Sequence, residues 1–145
     1  MRAVVQRVAE ARVLVDEETV GAIGPGLCVL LGVAEDDGPA AADRLAARVS
    51  RLRIFENAEG MFDRSLLDVE GGALVVSQFT LIADTAKGNR PSFSHAARPE
   101  QAQPLYERFC DCLAAAGVVV ARGVFGARMA VELTNDGPVT IVVDV

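Results

Sequence analysis

Leu74, Val75 and Val76 run straight into Ser77-Gln78-Phe79-Thr80-Leu81, and no other stretch constrains the chain as tightly. The branched apolar start fits a strand covered by other layers. The Ser-Gln pair then places hydroxyl and amide groups inside an apolar run, where each needs a hydrogen-bond partner. Either these side chains bond neighbouring backbone at a strand end, or they line a site.

The rest of the chain supplies the layers. Residues 2–8 and 11–15 alternate as one long or bulged strand, Asp16-Glu17-Glu18 marks a turn, and Thr19–Ile23 returns as a hairpin partner. Gly24-Pro25-Gly26 breaks the chain, and the unbroken apolar run Leu27–Val33 fits a central strand. Glu35-Asp36-Asp37-Gly38-Pro39 reads as a helix entrance, with Leu45, Val49 and Leu52 on one face and Arg44, Arg48 and Arg51 on solvated faces. Arg53-Ile54-Phe55 is expected as a short strand, answered after a turn at 57–60 by Met61-Phe62. Pro99 opens a second helix with the stripe Leu105, Phe109, Cys112, Ala116, and Gly117 closes it. Three strands are expected after it, Val118–Val124, Met129–Thr134 and Val139–Val143. No repeat or linker interrupts residues 1–145, so the expectation is a single α+β domain, mostly antiparallel, with two covering helices.

Composition narrows the chemistry. A chain of 145 residues, 51% hydrophobic, buries a core of its own. No apolar run is long enough to cross a bilayer, and Arg2 and Arg7 within an alternating pattern do not resemble a signal peptide, so a cytoplasmic protein is expected. Cys28, Cys110 and Cys112 lack zinc or redox spacing and read as inert thiols. With His95 as the only histidine, in a polar loop, a histidine-rich metal site is impossible, and no metal or cofactor is expected. The net charge of −6 argues against broad nucleic-acid binding and against DNA as a partner. A local patch from Arg7, Lys87, Arg90, Arg122 and Arg128 is still compatible with an RNA end, as is an ordinary mixed surface. Lys87 and Gly88 lie in the polar loop 84–94, which lacks the Walker pattern of a nucleotide site.

Six segments in one order carry a resemblance: Met1–Val8, Leu52–Phe55, Val75–Leu81, Arg90-Pro91-Ser92-Phe93-Ser94, Phe125-Gly126-Ala127 and Asn135-Asp136-Gly137-Pro138-Val139-Thr140. Together they resemble the D-aminoacyl-tRNA deacylase family in its bacterial form. The resemblance implies a β-barrel-like core in a two-fold homodimer. It also implies hydrolysis of the ester of D-aminoacyl-tRNA, and of glycyl-tRNA mischarged on tRNA-Ala.

The same resemblance assigns roles. Ser77, Gln78, Phe79 and Thr80 would form the catalytic floor, with backbone N–H groups around Phe79 and Thr80 acting as an oxyanion hole. The 2′-hydroxyl of the RNA would assist attack in place of a protein nucleophile. Gly137 and Pro138, joined by a cis bond, would reach the partner subunit's site and exclude L side chains, with Arg7 bracing them. Phe125 and Met129 would line the pocket. Arg128 and Ala130 depart from the acid and amide common around Met129, which makes the rim more basic.

The residues alone leave other readings open. The Asp-Gly-Pro segment is also an ordinary turn sequence, Arg7 a solvent-facing strand residue, and Phe125 and Met129 plain core. Two further functions compete: a non-catalytic module that binds the tRNA end, and an esterase using Thr80 as nucleophile.

Overall fold

The computed structural model describes residues 1–145. In chain order the elements are β1 (Arg2–Val15), β2 (Glu18–Ile23), β3 (Gly26–Gly32), α1 (Pro39–Arg51), β4 (Phe55–Glu56), β5 (Phe62–Arg64), α2 (Leu66–Val69), β6 (Gly72–Ser77), α3 (Pro99–Ala115), β7 (Val119–Arg122) and β8 (Ala130–Asp144). A 3-10 turn, Phe79–Leu81, follows β6 directly.

Strand β1 organises the sheet. Along one edge it pairs with β3 over Arg2–Val8 and then with β2 over Ala11–Val15, while β8 runs antiparallel along its other edge. The β1–β2 hairpin turns at Asp16 and Glu17, whose φ values of 49° and 68° match the twist that tight hairpins require. Beyond β3 the pairing becomes parallel, β3 to β6 and β6 to β7. Parallel neighbours need long crossovers, and α1 and α3 lie in those two connections. The sheet is therefore mixed, and the mostly antiparallel expectation is corrected: short alternating runs do not reveal which way a buried strand points.

The sheet curls almost closed. Gly21 of β2 lies so near β7 that a Cβ there would sit 2.6 Å from the Arg122 carbonyl oxygen. Glycine permits this approach of two backbones. A still tighter approach joins β3 to β6, where a Cβ on Gly26 would fall 1.9 Å from the Gly72 oxygen.

Both long helices cover one face. Gly38 precedes Pro39 at the start of α1, and Ala42, Leu45, Ala46 and Val49 form its buried stripe. On α3 the buried stripe is Ala102, Leu105, Tyr106, Phe109, Cys110 and Leu113. Cys112 is only partly buried and Ala116 is exposed, so the expected stripe was rotated toward solvent at its end. Arg108 clamps Asp43 of α1 through two hydrogen bonds of 2.7 and 2.9 Å, holding that carboxyl down to about 2. The main core lies between these helices and the sheet. A smaller cluster of Val8, Ala11, Val13, Cys28, Leu74 and Val76 fills the other side.

Three further expectations change. The central strand, expected to carry Ser77-Gln78-Phe79-Thr80, ends at Ser77. The short strand begins at Phe55, leaving Arg53 and Ile54 outside it. The two strands expected at 129–134 and 139–143 are one element, β8. A third, short helix, α2, is also present, closed at its start by a reciprocal Ser65–Asp68 capping box.

Candidate active site

The end of β6 delivers Ser77 and Gln78 to the rim of the sheet. The Gln78 N–H donates to the Leu31 carbonyl oxygen at 2.8 Å, after which the chain leaves the sheet and tightens into the 3-10 turn. Within that turn Leu81 N–H donates to Gln78 O and Ile82 N–H to Phe79 O. The N–H groups of Phe79 and Thr80 stand at its open end, where a helical turn supplies no acceptor. Gly32 lets β3 abut the turn, because a Cβ there would meet Leu81 Cβ at 3.0 Å. Arg2 fixes the far end by donating to Leu81 O at 3.3 Å.

A pocket of about 580 Å³ opens over this turn. Ser77, Gln78 and Phe79 form one wall, and Phe125, Gly126, Ala127 and Met129 another. Phe79 is 55% exposed and meets Phe93 edge-on, ring centroids 5.3 Å apart. Arg98, at the start of α3, is the only charged residue in the lining, which contains no Asp, Glu, His, Lys or Cys. The pocket thus offers apolar walls, backbone groups and a serine hydroxyl, without a side-chain general base.

Phe125 is held from behind. Tyr106 packs against it with ring centroids 6.0 Å apart and donates its hydroxyl to Val75 O at 2.8 Å. The Gly123 N–H reaches the same oxygen at 3.1 Å. Burial pushes the Tyr106 phenol far above its ordinary range, so it stays a neutral donor.

Thr80 is exposed outside this lining, where its Oγ1 accepts from Gln78 Nε2. His95 lies on the surface 3.3 Å from Glu35 Oε1, also outside the pocket.

Gly137 and Pro138 do not line the pocket of their own chain. They project from a bulge in β8. Gln6 pairs with Thr140 and Val8 with Asn135, so the four residues Asp136–Val139 stand opposite Arg7 alone. The Gly137–Pro138 bond is cis, and both residues are exposed. Arg7 grips the bulge from within. Its Nε donates to Asp136 O at 2.9 Å, its Nη1 to Ile54 O at 2.8 Å, and Asn135 Nδ2 donates to Arg7 O at 2.9 Å. The Asp136 and Glu56 carboxylates lie 3.4 and 3.6 Å from the guanidinium, and the Phe62 ring covers it at 5.6 Å. Arg7 is therefore buried rather than facing solvent. Gly137 has little room for change, since a Cβ would meet Val139 N at 2.4 Å and Asn135 Oδ1 at 2.7 Å.

The structure therefore unites Ser77, Gln78, Phe79, Phe125 and Met129, and leaves Thr80, Gly137 and Pro138 outside their pocket. Sequence reasoning assigned no role to Phe93, Arg98 or Tyr106. Phe93 was visible within the Arg-Pro-Ser-Phe-Ser segment; nothing in the helix sequence distinguished Tyr106 from core. No group of three or more His, Cys, Asp or Glu residues is placed to hold a metal ion, and no helix is long and apolar enough to cross a membrane.

Comparison with known proteins agrees along the whole chain. The family described as D-Tyr-tRNA(Tyr) deacylase matches residues 4–144. The D-aminoacyl-tRNA deacylase of Symbiobacterium thermophilum is 57% identical over 144 residues, covering 99% of this chain and 95% of that one. Its counterpart from Ruegeria pomeroyi is 57% identical over 145 residues, with 100% of both chains covered. Among solved structures, the c-Myc DNA Unwinding Element Binding Protein superposes with a TM-score of 0.95 at 40% identity, covering 100% of this chain and 99% of that one.

Proposed function

Because the chain belongs to the D-Tyr-tRNA(Tyr) deacylase family and is a hydrolase acting on aminoacyl-tRNA, we propose that two copies build each working site and that the RNA itself assists the hydrolysis. The observation that carries this reading is the pocket's lack of a side-chain base. Water or a hydroxyl must be activated by something, and the 2′-hydroxyl beside the ester is the nearest group a substrate would bring. Backbone N–H groups of Phe79 and Thr80 stabilise the oxyanion as the ester carbonyl is attacked. An aminoacyl ester is reactive enough that holding it in place supplies much of the remaining rate.

The partner supplies the selector. The exposed Gly137–Pro138 bulge enters the pocket of a second copy, and two-fold symmetry makes the exchange reciprocal. Backbone carbonyls there exclude an L side chain, while a D side chain or the hydrogen of glycine fits. D-aminoacyl-tRNA, and glycyl-tRNA mischarged on tRNA-Ala, are then the substrates of a proofreading enzyme. The absence of the bulge from its own chain's pocket supports this arrangement over a monomeric site.

Cleavage of D- and L-aminoacyl-tRNA by the purified protein tests the assignment, and sedimentation at assay concentration tests the dimer. Equal cleavage of both enantiomers overturns the selector. A third arm uses RNA ending in 2′-deoxyadenosine, aminoacylated at the 3′ position; unchanged turnover would overturn the assisted mechanism. Thr80→Ala and Ser77→Ala are expected to keep substantial turnover, and abolition of activity in a folded, RNA-binding Thr80→Ala would make Thr80 the nucleophile.

A further inference from the structure

The chain holds fourteen Lys and Arg residues. Arg2, Arg7, Arg12, Arg53, Arg108 and Arg122 face carboxylates. Arg48 and Arg64 donate to backbone carbonyls. Six remain without an anionic or hydrogen-bonded partner: Arg44, Arg51, Lys87, Arg90, Arg98 and Arg128. The first two lie on the outer face of α1. The other four lie in or beside the segments that lead to the pocket.

Arg98 lines the pocket, and exposed Arg128 stands between the lining residues Ala127 and Met129. Lys87 and Arg90 ride on the loop closed by the Asp84–Ser92 backbone pair, and that loop runs directly into Phe93, another lining residue. Acidic groups are scarce here. Asp84 is engaged, its Oδ1 accepting from Ala86 N–H at 2.9 Å, and Glu100 is exposed in the first turn of α3. On a protein of net charge −6, Arg98 in the lining, Arg128 beside it, and Lys87 and Arg90 on the loop that leads into Phe93 are cations without a partner.

We propose that Arg98, Arg128, Arg90 and Lys87 form a phosphate track that holds the RNA backbone leading to the reacting 3′ end. This rests on the reading of the pocket as the site for an aminoacyl-tRNA end. An unpaired guanidinium presents a fork that fits phosphate oxygens, and ammonium adds a mobile point charge. Contacts to phosphate carry no base sequence, so the track accepts many tRNAs and leaves selection to the amino acid. The acidic remainder of the surface repels RNA and limits binding to this mouth.

The experiment compares wild type with Lys87→Gln/Arg90→Gln, with Arg128→Gln, and with Arg44→Gln/Arg51→Gln as control. Three readouts are used: the affinity for uncharged tRNA against salt by fluorescence anisotropy, kcat and KM on a D-aminoacyl-tRNA, and kcat/KM on a D-aminoacyl ester of adenosine, which has no phosphate. Each charge removed from the track is expected to flatten the salt dependence of log affinity by about 0.7 to 0.9, and the double variant by roughly twice that. KM for the tRNA ester should rise severalfold with kcat retained, and the loss on that ester should exceed the loss on the adenosine ester at least about fivefold. The control should match wild type throughout. Unchanged affinity and salt slope in the track variants, or equal loss on both esters, overturns the track. A wild type that binds tRNA with the expected slope but cleaves no D-ester leaves the track standing and overturns the hydrolytic reading instead.

Discussion

Arg7 holds Asp136 from inside the protein, its Nε donating to the Asp136 carbonyl oxygen at 2.9 Å while only 6% of the residue reaches solvent. One residue of β1 thus fixes a four-residue bulge of β8, by its side chain and, through Asn135, by its backbone. Phe62 and Glu56 reach the same guanidinium from the β4–β5 hairpin, so that hairpin belongs to the support of Gly137–Pro138.

Replacement of the fork is the direct test. Arg7→Lys keeps the charge but cannot span Asp136 O and Ile54 O together. Losing a charge-assisted hydrogen bond in a buried place costs about 1.5–3 kcal/mol, and kcat/KM on a D-aminoacyl-tRNA should fall at least about tenfold as the bulge loses its geometry. Phe62→Ala removes only the ring over the cation, about 0.5–1 kcal/mol, and should lower activity a few-fold with little change in Tm. Thermal melts beside steady-state kinetics separate the two effects, and a wild-type rate in Arg7→Lys refutes the bracing role.

Tyr106 offers a sharper contrast. Tyr106→Phe removes one hydrogen bond to Val75 O, yet that oxygen still accepts from Gly123 N–H. The cost should stay near 0.5–1.5 kcal/mol. Tyr106→Ala also removes the ring behind Phe125 and leaves a cavity, so about 3–5 kcal/mol is expected, along with a raised KM. Urea denaturation of both variants measures the difference.

Gly26→Ala tests the closed sheet. The added methyl would fall on the Gly72 carbonyl oxygen, and backbone on both sides prevents relief by a side-chain rotation. Overpacking of this kind costs about 3 kcal/mol or more, so a Tm lower by several degrees, or insoluble protein, is the expected outcome. A near-neutral Gly26→Ala shows that β3 and β6 can separate freely.

Two thiols give a pH prediction. Burial pushes Cys28 and Cys110 up to about 11 from the usual 9.0. Because the folded values lie above the unfolded ones, the stabilisation is complete below 9.0 and is lost as pH rises toward 11. Denaturation midpoints should therefore hold below pH 9 and fall between pH 9 and 11. Iodoacetamide at pH 8, followed by mass spectrometry, should leave both residues unlabelled until urea is added.

Much of this architecture was legible in residue pattern. The apolar run Leu27–Val33, the helix entrance at Gly38-Pro39 and the stop at Gly117 follow from local rules, and each stands near its expected place. Strand direction did not follow, because β6 is buried on both faces and its pattern is the same read either way. Nor did the continuity of β8, whose Gly-Pro pair reads as a chain break while Arg7 and Asn135 carry it through as a bulge. The pocket walls Phe125 and Met129 came from the family resemblance, and their periodicity alone reads as core. Arg7 shows the same limit: its burial depends on partners up to 129 residues away, which no sequence window contains.

The pairing of β1 with β8 also orders events during synthesis. Strands β2 and β3 can cover one edge of β1 early, but its other edge, from Arg2 to Leu14, waits for Ala130–Asp144. Pairings so distant in sequence form slowly, because the loop between them must close first. A nascent chain therefore carries a long unpaired edge until β8 leaves the ribosome, and such edges recruit strands from neighbouring chains. A polypeptide cut before Ala130 should accumulate as aggregate, and a chaperone that shields strand edges should raise the yield of the full-length protein most when translation is fast.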